Sequence, residues 1–223
     1  MIDAVPSCVL FDLDGTIVDS LPGIEFSVRE AFSTCKLPVP PRNLRGFVGP
    51  PIRKILSRAG NILEETQLDA LEGAFRASYD TEGWRKALCY PNADQVLRTL
   101  RDRGHRLFVV SNKPWRIAHR ILENQQVLDC FEAIVTPDSR SPHYQTKQEM
   151  VATVLTESVR GEDSVMVGDT SEDAKAAASA GIPFIFMRHG YGSLAEISSI
   201  GIARTLDGFS QFYELLNQEP ALD

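Results

Sequence analysis

The stretch Asp12-Leu13-Asp14-Gly15-Thr16-Ile17-Val18-Asp19-Ser20, set directly behind the apolar run Cys8-Val9-Leu10-Phe11, constrains this chain more than any other. A run that short, apolar at every position and closed by a turn signal, predicts a strand buried on both faces, as in a parallel sheet. Asp12 and Asp14 then emerge at its carboxyl end, where open α/β sheets place their chemistry. Two carboxylates one residue apart repel each other unless a cation or a hydrogen-bond network offsets the repulsion. A hard divalent metal is the obvious partner for such oxygens. Taken alone, Asp14-Gly15 reads equally well as a tight turn, with Asp12 capping the segment behind it.

Behind this strand the pattern turns helical. Ile24, Val28, Ala31 and Phe32 repeat at helix spacing, as do Leu68, Leu71, Phe75 and Tyr79. Between them Leu37-Pro38-Val39-Pro40-Pro41 reads as a stiff linker, and Pro51 opens a short amphipathic piece with Ile52, Ile55, Leu56 and Ala59 that Gly60 ends. No strand is expected from residue 17 to about residue 86, so 17–86 forms an all-helical insertion in a core made of 1–16 and 87–223. From Pro91 helix and strand alternate. Strands are predicted at 107–110, 133–135, 165–167 and 184–186. Helices are predicted around Val96, Leu97 and Leu100 up to Gly104, from Pro114, from Lys147 and from Ser171, with a covering helix over 209–216. This is the α/β pattern of a doubly wound parallel sheet.

The 223 residues allow one large domain or a core with an insertion. With 43% hydrophobic and 24% charged residues the composition is that of a globular protein, and no apolar run approaches the ~20 residues of a membrane span. No basic segment followed by an apolar stretch opens the chain, so no signal peptide is expected. A net charge of −7 disfavours nucleic acid and anionic membranes as partners. Cys8, Cys35, Cys89 and Cys130 are scattered without Cys-x-x-Cys spacing, which argues against a zinc site and a disulfide framework and fits a reducing cytoplasm.

Three further places stand out along the core. Ser111-Asn112-Lys113-Pro114 lies behind the second core strand, where Ser111 or Asn112 is suited to cap the helix that Pro114 starts. Thr146-Lys147-Gln148-Glu149 reads as a capping box, and Lys147 at the first helical position opposes the helix dipole, which points to an anion nearby. Arg140 in the preceding loop is a competing cation, and His143 there reads as an exposed loop residue. Gly168-Asp169-Thr170-Ser171-Glu172-Asp173 lies behind the strand over 164–167, and Asp169 or Thr170 is suited to cap the alanine-rich helix beyond it. Neither a Gly-x-Ser-x-Gly elbow nor a Gly-x-x-x-x-Gly-Lys loop occurs, and the four histidines lack metal spacing.

Asp-x-Asp-Gly-Thr behind a buried strand, with the other three places after it in order, resembles the four motifs of the haloacid dehalogenase-like (HAD) phosphohydrolases. The resemblance implies a Rossmann-like core with a helical cap inserted after the first strand. It implies Asp12 as nucleophile, Asp14 as general acid/base, Ser111 and Lys147 as ligands of the transferring phosphoryl group with Asn112 beside them, and Mg2+ held by Asp12, Asp169 and the backbone carbonyl of Asp14, with Asp173 as support. Asp14 counts against the dehalogenases and phosphonate-cleaving members, which lack this second Asp. The branch resembled is that of the phosphoglycolate phosphatases, on Leu44-Arg45-Gly46-Phe47-Val48-Gly49-Pro50-Pro51-Ile52 in the cap and Tyr90-Pro91 before the first core helix. The implied partner is a small phosphorylated metabolite such as 2-phosphoglycolate. A phosphomutase and a non-catalytic phospho-ligand binder are the alternatives. His189-Gly190-Tyr191-Gly192-Ser193 resembles a loop common after the fifth strand of this family and carries no catalytic assignment. For the substrate's carboxylate or second phosphate Arg45 offers a fork, with Arg53, Lys54 and Lys113 in reserve, although Arg45 reads equally as a solvated surface residue.

Overall fold

The computed structural model describes residues 5–40, 43–49, 51–61, 64–159 and 163–217. Pro41 of the expected linker and Pro50 of the expected cap loop lie outside them. The chain divides into two compact units, one made of the chain up to Val18 and from Cys89 onward, the other of Asp19–Leu88. Both divisions fall inside short strands, at Val18–Asp19 and Leu88–Cys89. The first of these lies within the span expected to hold no strand, because two residues are too few to produce a readable alternation.

In chain order the strands are β1 (Cys8–Phe11), β2 (Val18–Asp19), β3 (Leu88–Cys89), β4 (Arg106–Val110), β5 (Ala133–Val135), β6 (Ser164–Gly168), β7 (Phe184–Met187) and β8 (Arg204–Leu206). The α-helices are α1 (Leu21–Thr34), α2 (Ile52–Ala59), α3 (Glu65–Tyr79), α4 (Ala93–Asp102), α5 (Trp115–Asn124), α6 (Lys147–Thr153), α7 (Ser171–Ala180), α8 (Leu194–Ile197) and α9 (Phe209–Asn217).

Among the described residues the first unit carries a six-stranded sheet in the order β5-β4-β1-β6-β7-β8, parallel throughout. From β1 the chain builds outward through β4 and β5, then crosses to the other side for β6, β7 and β8. That reversal puts a topological switch point at the carboxyl ends of β1 and its neighbours, the crevice where doubly wound sheets take ligands. Every residue of β1 is fully buried, as its unbroken apolar run predicts. Alternation along the strand sends Cys8 and Leu10 into a core with Phe108, Met150, Met166 and Phe186. On the other face Phe11 meets Phe212 and Phe209 of α9 at ring-centroid distances of 6.0 and 6.5 Å. The covering helix therefore closes that face. Strand β8 has no counterpart among the expected strands: Arg204–Leu206 is three residues long, half-buried at the sheet edge, and has no apolar run to announce it.

The second unit is helical within its ends. Its α1 packs along α3, with Ser78 donating to Ser27 at 3.1 Å between them. Arg53 of α2 ties that helix to α3 through Glu65, Asp69 (2.8 Å) and Glu72 (3.3 Å). The four cysteines form no disulfide, and no helix among the described residues is long and apolar enough to cross a membrane.

Candidate active site

Asp12 is the first residue past β1, Ser111 the first past β4 and Asp169 the first past β6, so three neighbouring strands deliver them to one edge. The Asp12 N–H still donates to Val167 O at 2.9 Å, which prolongs the sheet by one residue and fixes where the side chain starts. Beyond it the chain turns sharply. Gly15, at φ +84°, lets its N–H reach Val18 O at 2.8 Å, and Ile17 and Val18 donate back to Leu13 O. The tight turn expected at Asp14-Gly15 is present, and it separates the two carboxylates.

Asp12, Asp169 and Asp173 are buried, and one carboxylate oxygen of each lies within 4.8 Å of the others. Lys147, at the start of α6, is buried among them. It donates to Asp12 Oδ1 at 2.8 Å and to Asp173 Oδ1 at 2.6 Å. Burial works against its ammonium, but Asp12 and Asp173 outweigh that effect and hold its pKa above that of a free lysine. Arg140 does not compete for this place, because its guanidinium lies 4.0 Å above the Tyr144 ring. Asp12 Oδ2 accepts no hydrogen bond among the described residues, which leaves one oxygen of this carboxylate for chemistry.

Asp169 is held from three sides. Thr16 Oγ1 donates to its Oδ1 at 2.9 Å and the Tyr191 N–H to its Oδ2 at 2.7 Å. The loop behind β7 is pressed against it: a Cβ on Gly190 would stand 2.2 Å from Asp169 Cβ, and one on Gly192 2.0 Å from Asp169 O. Asp173 reaches back to its own helix start, where Oδ2 accepts from Thr170 N at 2.9 Å and Oγ1 at 2.7 Å. One carboxylate thus caps α7 and faces Lys147 at once.

The cluster carries three carboxylates against one ammonium. Burial first, and then the charge of Asp173 working against that of Lys147, push Asp12 up to about 7, and burial with the Asp12 charge pushes Asp169 well above the ordinary range. A divalent cation would supply the missing positive charge, and an all-oxygen donor set suits a hard ion such as magnesium. The residues fit such an ion.

Asp14 is not in this cluster. The metal contact expected of Asp14 is through its backbone carbonyl, and its carboxylate turns to Lys113, whose Nζ lies 2.9 Å from both its oxygens. Lys113, a reserve candidate for the substrate contact, is buried here as the partner of Asp14. Ser111 is buried, and its Oγ accepts the Lys113 N–H at 3.3 Å instead of capping a helix. Pro114 is the residue before α5, not its first, and the Trp115 N–H finds its acceptor in Asp138 at 2.8 Å. Asn112 donates to Glu172 at 2.7 Å, joining the loop behind β4 to the first turn of α7. Arg45 lies in the other unit, exposed, in the one-turn 3₁₀ helix Arg45–Phe47. Thr16, Lys113 as the partner of Asp14, and the Gly190-Tyr191-Gly192 loop are contributions that sequence reasoning missed. The two glycines flanking Tyr191 were the available signal for the last.

Carboxylates and a lysine gathered at the switch point of a parallel sheet place the chain among the doubly wound α/β enzymes with carboxylate-centred chemistry. The profile of the haloacid dehalogenase-like hydrolases matches residues 9–187, and the chain belongs to that family. It is 29% identical over 224 residues to a phosphoglycolate phosphatase of Psychrobacter arcticus, covering 96% of this chain and 97% of that protein. It is 36% identical over 192 residues to the tyrosine-protein kinase PtkA of Mycobacterium tuberculosis, covering 84% of this chain but only 64% of the length of PtkA. A haloacid dehalogenase-like hydrolase from Streptococcus pneumoniae shares the fold at a TM-score of 0.83 and 24% identity, over 96% of this chain and 99% of that one.

Proposed function

We propose that this chain is a magnesium-dependent phosphoric monoester hydrolase that acts on a small phosphorylated acid such as 2-phosphoglycolate through an aspartyl phosphate. The observation that carries this reading is the buried arrangement of Asp12, Lys147, Asp173 and Asp169, with one Asp12 oxygen unengaged. The name of the Psychrobacter relative supports the substrate class.

Asp12 attacks phosphorus in line. Its oxygen forms the new bond as the ester P–O bond breaks, and the electron pair leaves on the ester oxygen, which takes a proton from Asp14. Asp14 then accepts a proton from a water that attacks the aspartyl phosphate, releasing phosphate and restoring Asp12. Lys147 and Ser111 hold the phosphoryl oxygens, with Asn112 beside them. Magnesium, held by Asp12 and Asp169 with Asp173 as support, would neutralise charge on the phosphoryl group. Arg45 is assigned the substrate's carboxylate.

Phosphate release from 4-nitrophenyl phosphate, with and without magnesium, tests the activity. Release with magnesium excludes a mere phospho-ligand binder, and interconversion of sugar phosphates without release would indicate a mutase. The identity to PtkA favours a second reading, transfer of a phosphoryl group to a protein tyrosine. Labelled phosphate passing from ATP to a tyrosine peptide would favour it, and free phosphate from 2-phosphoglycolate favours hydrolysis.

A further inference from the structure

The ion pair between Lys113 and Asp14 sits apart from the cluster that Lys147 serves. Lys113 is drawn down to 8% exposure, where an ammonium loses most of its hydration and needs a partner. Its place is fixed by a short path, since β4 ends at Val110, Ser111 Oγ accepts the Lys113 N–H, and Pro114 restricts the chain behind it. Its Nζ is equidistant from the two Asp14 oxygens, at 2.9 Å each, so the ammonium straddles the carboxylate. The lysine is the more buried partner, its side chain 6% exposed against 22% for Asp14. The lysine is therefore the fixed point and the carboxylate is what it positions. The two lysines sort three acids: Lys147 binds Asp12 and Asp173, and Lys113 binds Asp14.

We propose that Lys113 is a positioning residue that holds the Asp14 carboxyl group where it can serve the ester oxygen. The inference rests on the reading of Asp14 as proton donor. As the P–O bond breaks, Asp14 gives its proton to the departing oxygen and is left as a carboxylate. Lys113 grips both its oxygens until a proton returns from water. Without that grip the part-exposed carboxylate swings between rotamers, and a misplacement of ~1 Å can cost about 10²-fold in rate.

The test compares kcat/KM on two esters whose leaving groups are otherwise uncharged. The phenolate of 4-nitrophenyl phosphate departs without a proton, whereas the alkoxide of glycerol 2-phosphate needs one. Lys113→Met should lose about 10²-fold more on the glycerol ester than on the aryl ester. Asp14→Asn should show the same bias, and Lys113→Met with Asp14→Asn together should be no slower on the glycerol ester than Asp14→Asn alone. Equal losses on both esters would overturn the proposal. So would a double variant slower than Asp14→Asn by the full Lys113 factor. The double variant leaves no buried charge unpaired, so this comparison stands even if Lys113→Met alone does not fold. A wild-type enzyme inert toward 4-nitrophenyl phosphate would end the phosphatase reading itself, whereas wild-type turnover without ester bias in the variant ends only the role of Lys113.

Discussion

Asp12 must be an anion to act as a nucleophile, yet it lies buried beside two other acids. Metal-free, that conflict appears as a carboxyl pushed up to about 7 from an ordinary 3.8. Between those values the folded protein holds a proton that the unfolded chain has released, so stability falls as pH rises through that window. Thermal melting in EDTA should show this decline in the wild type and a shallower one in Asp12→Asn, which has no proton to lose. Magnesium, which favours the ionised form, should flatten the wild-type curve. A wild-type melting temperature that rises across the window in EDTA no less than that of Asp12→Asn contradicts the assignment. Asp14→Asn should cost about 10²- to 10⁴-fold in turnover, the usual worth of general acid/base catalysis, read as kcat on an alkyl phosphate. Gly190→Ala would drive a methyl group into Asp169. It should weaken magnesium binding measured by titration calorimetry, and unchanged affinity would remove the loop behind β7 from the site. At this scale the sequence was legible where a residue type is rare for its place, as with Asp12 behind a buried strand or Lys147 at a helix start. It was silent on the pairing of Lys113, which depends on a contact 99 residues away, and for Tyr191, whose contact lies 22 residues away, it offered only the two flanking glycines.

Elements were legible in proportion to their apolar content. Strands β1, β4, β6 and β7 are buried runs and fell where the pattern put them, whereas β2 and β8 are two and three residues long and carry no pattern. Helix starts were harder, since a cap is chosen by geometry as well as by residue type. At α6 Thr146 accepts the Glu149 N–H at 3.2 Å, but Glu149 reaches back to Gln145 N–H at 2.8 Å, one residue earlier than a capping box requires. At α5 the acceptor comes from Asp138, outside the local sequence altogether. Because α6 carries Lys147 on its first turn, Thr146→Ala should lower stability by about 1 kcal/mol and reduce activity with it. Denaturant titration checks the first effect, and an unchanged midpoint would show that α6 is held by packing alone.

On the scale of the whole molecule, the division at Val18–Asp19 and Leu88–Cys89 leaves the sheet unit with the acids and lysines and the helical unit with Arg45. If the helical unit reads the substrate through Arg45, Arg45→Ala should raise KM for 2-phosphoglycolate and spare 4-nitrophenyl phosphate. Equal changes on both would return Arg45 to the solvated surface. Magnesium at about 100 times its dissociation constant should stabilise the folded chain by about 2.7 kcal/mol, an effect that Asp169→Ala should abolish. The central claim is that Asp12 attacks phosphorus, and the most direct measurement is phosphate release from 4-nitrophenyl phosphate by folded wild type and folded Asp12→Asn in magnesium. The account predicts steady turnover in the first and background in the second, and turnover by Asp12→Asn near the wild-type rate would contradict it.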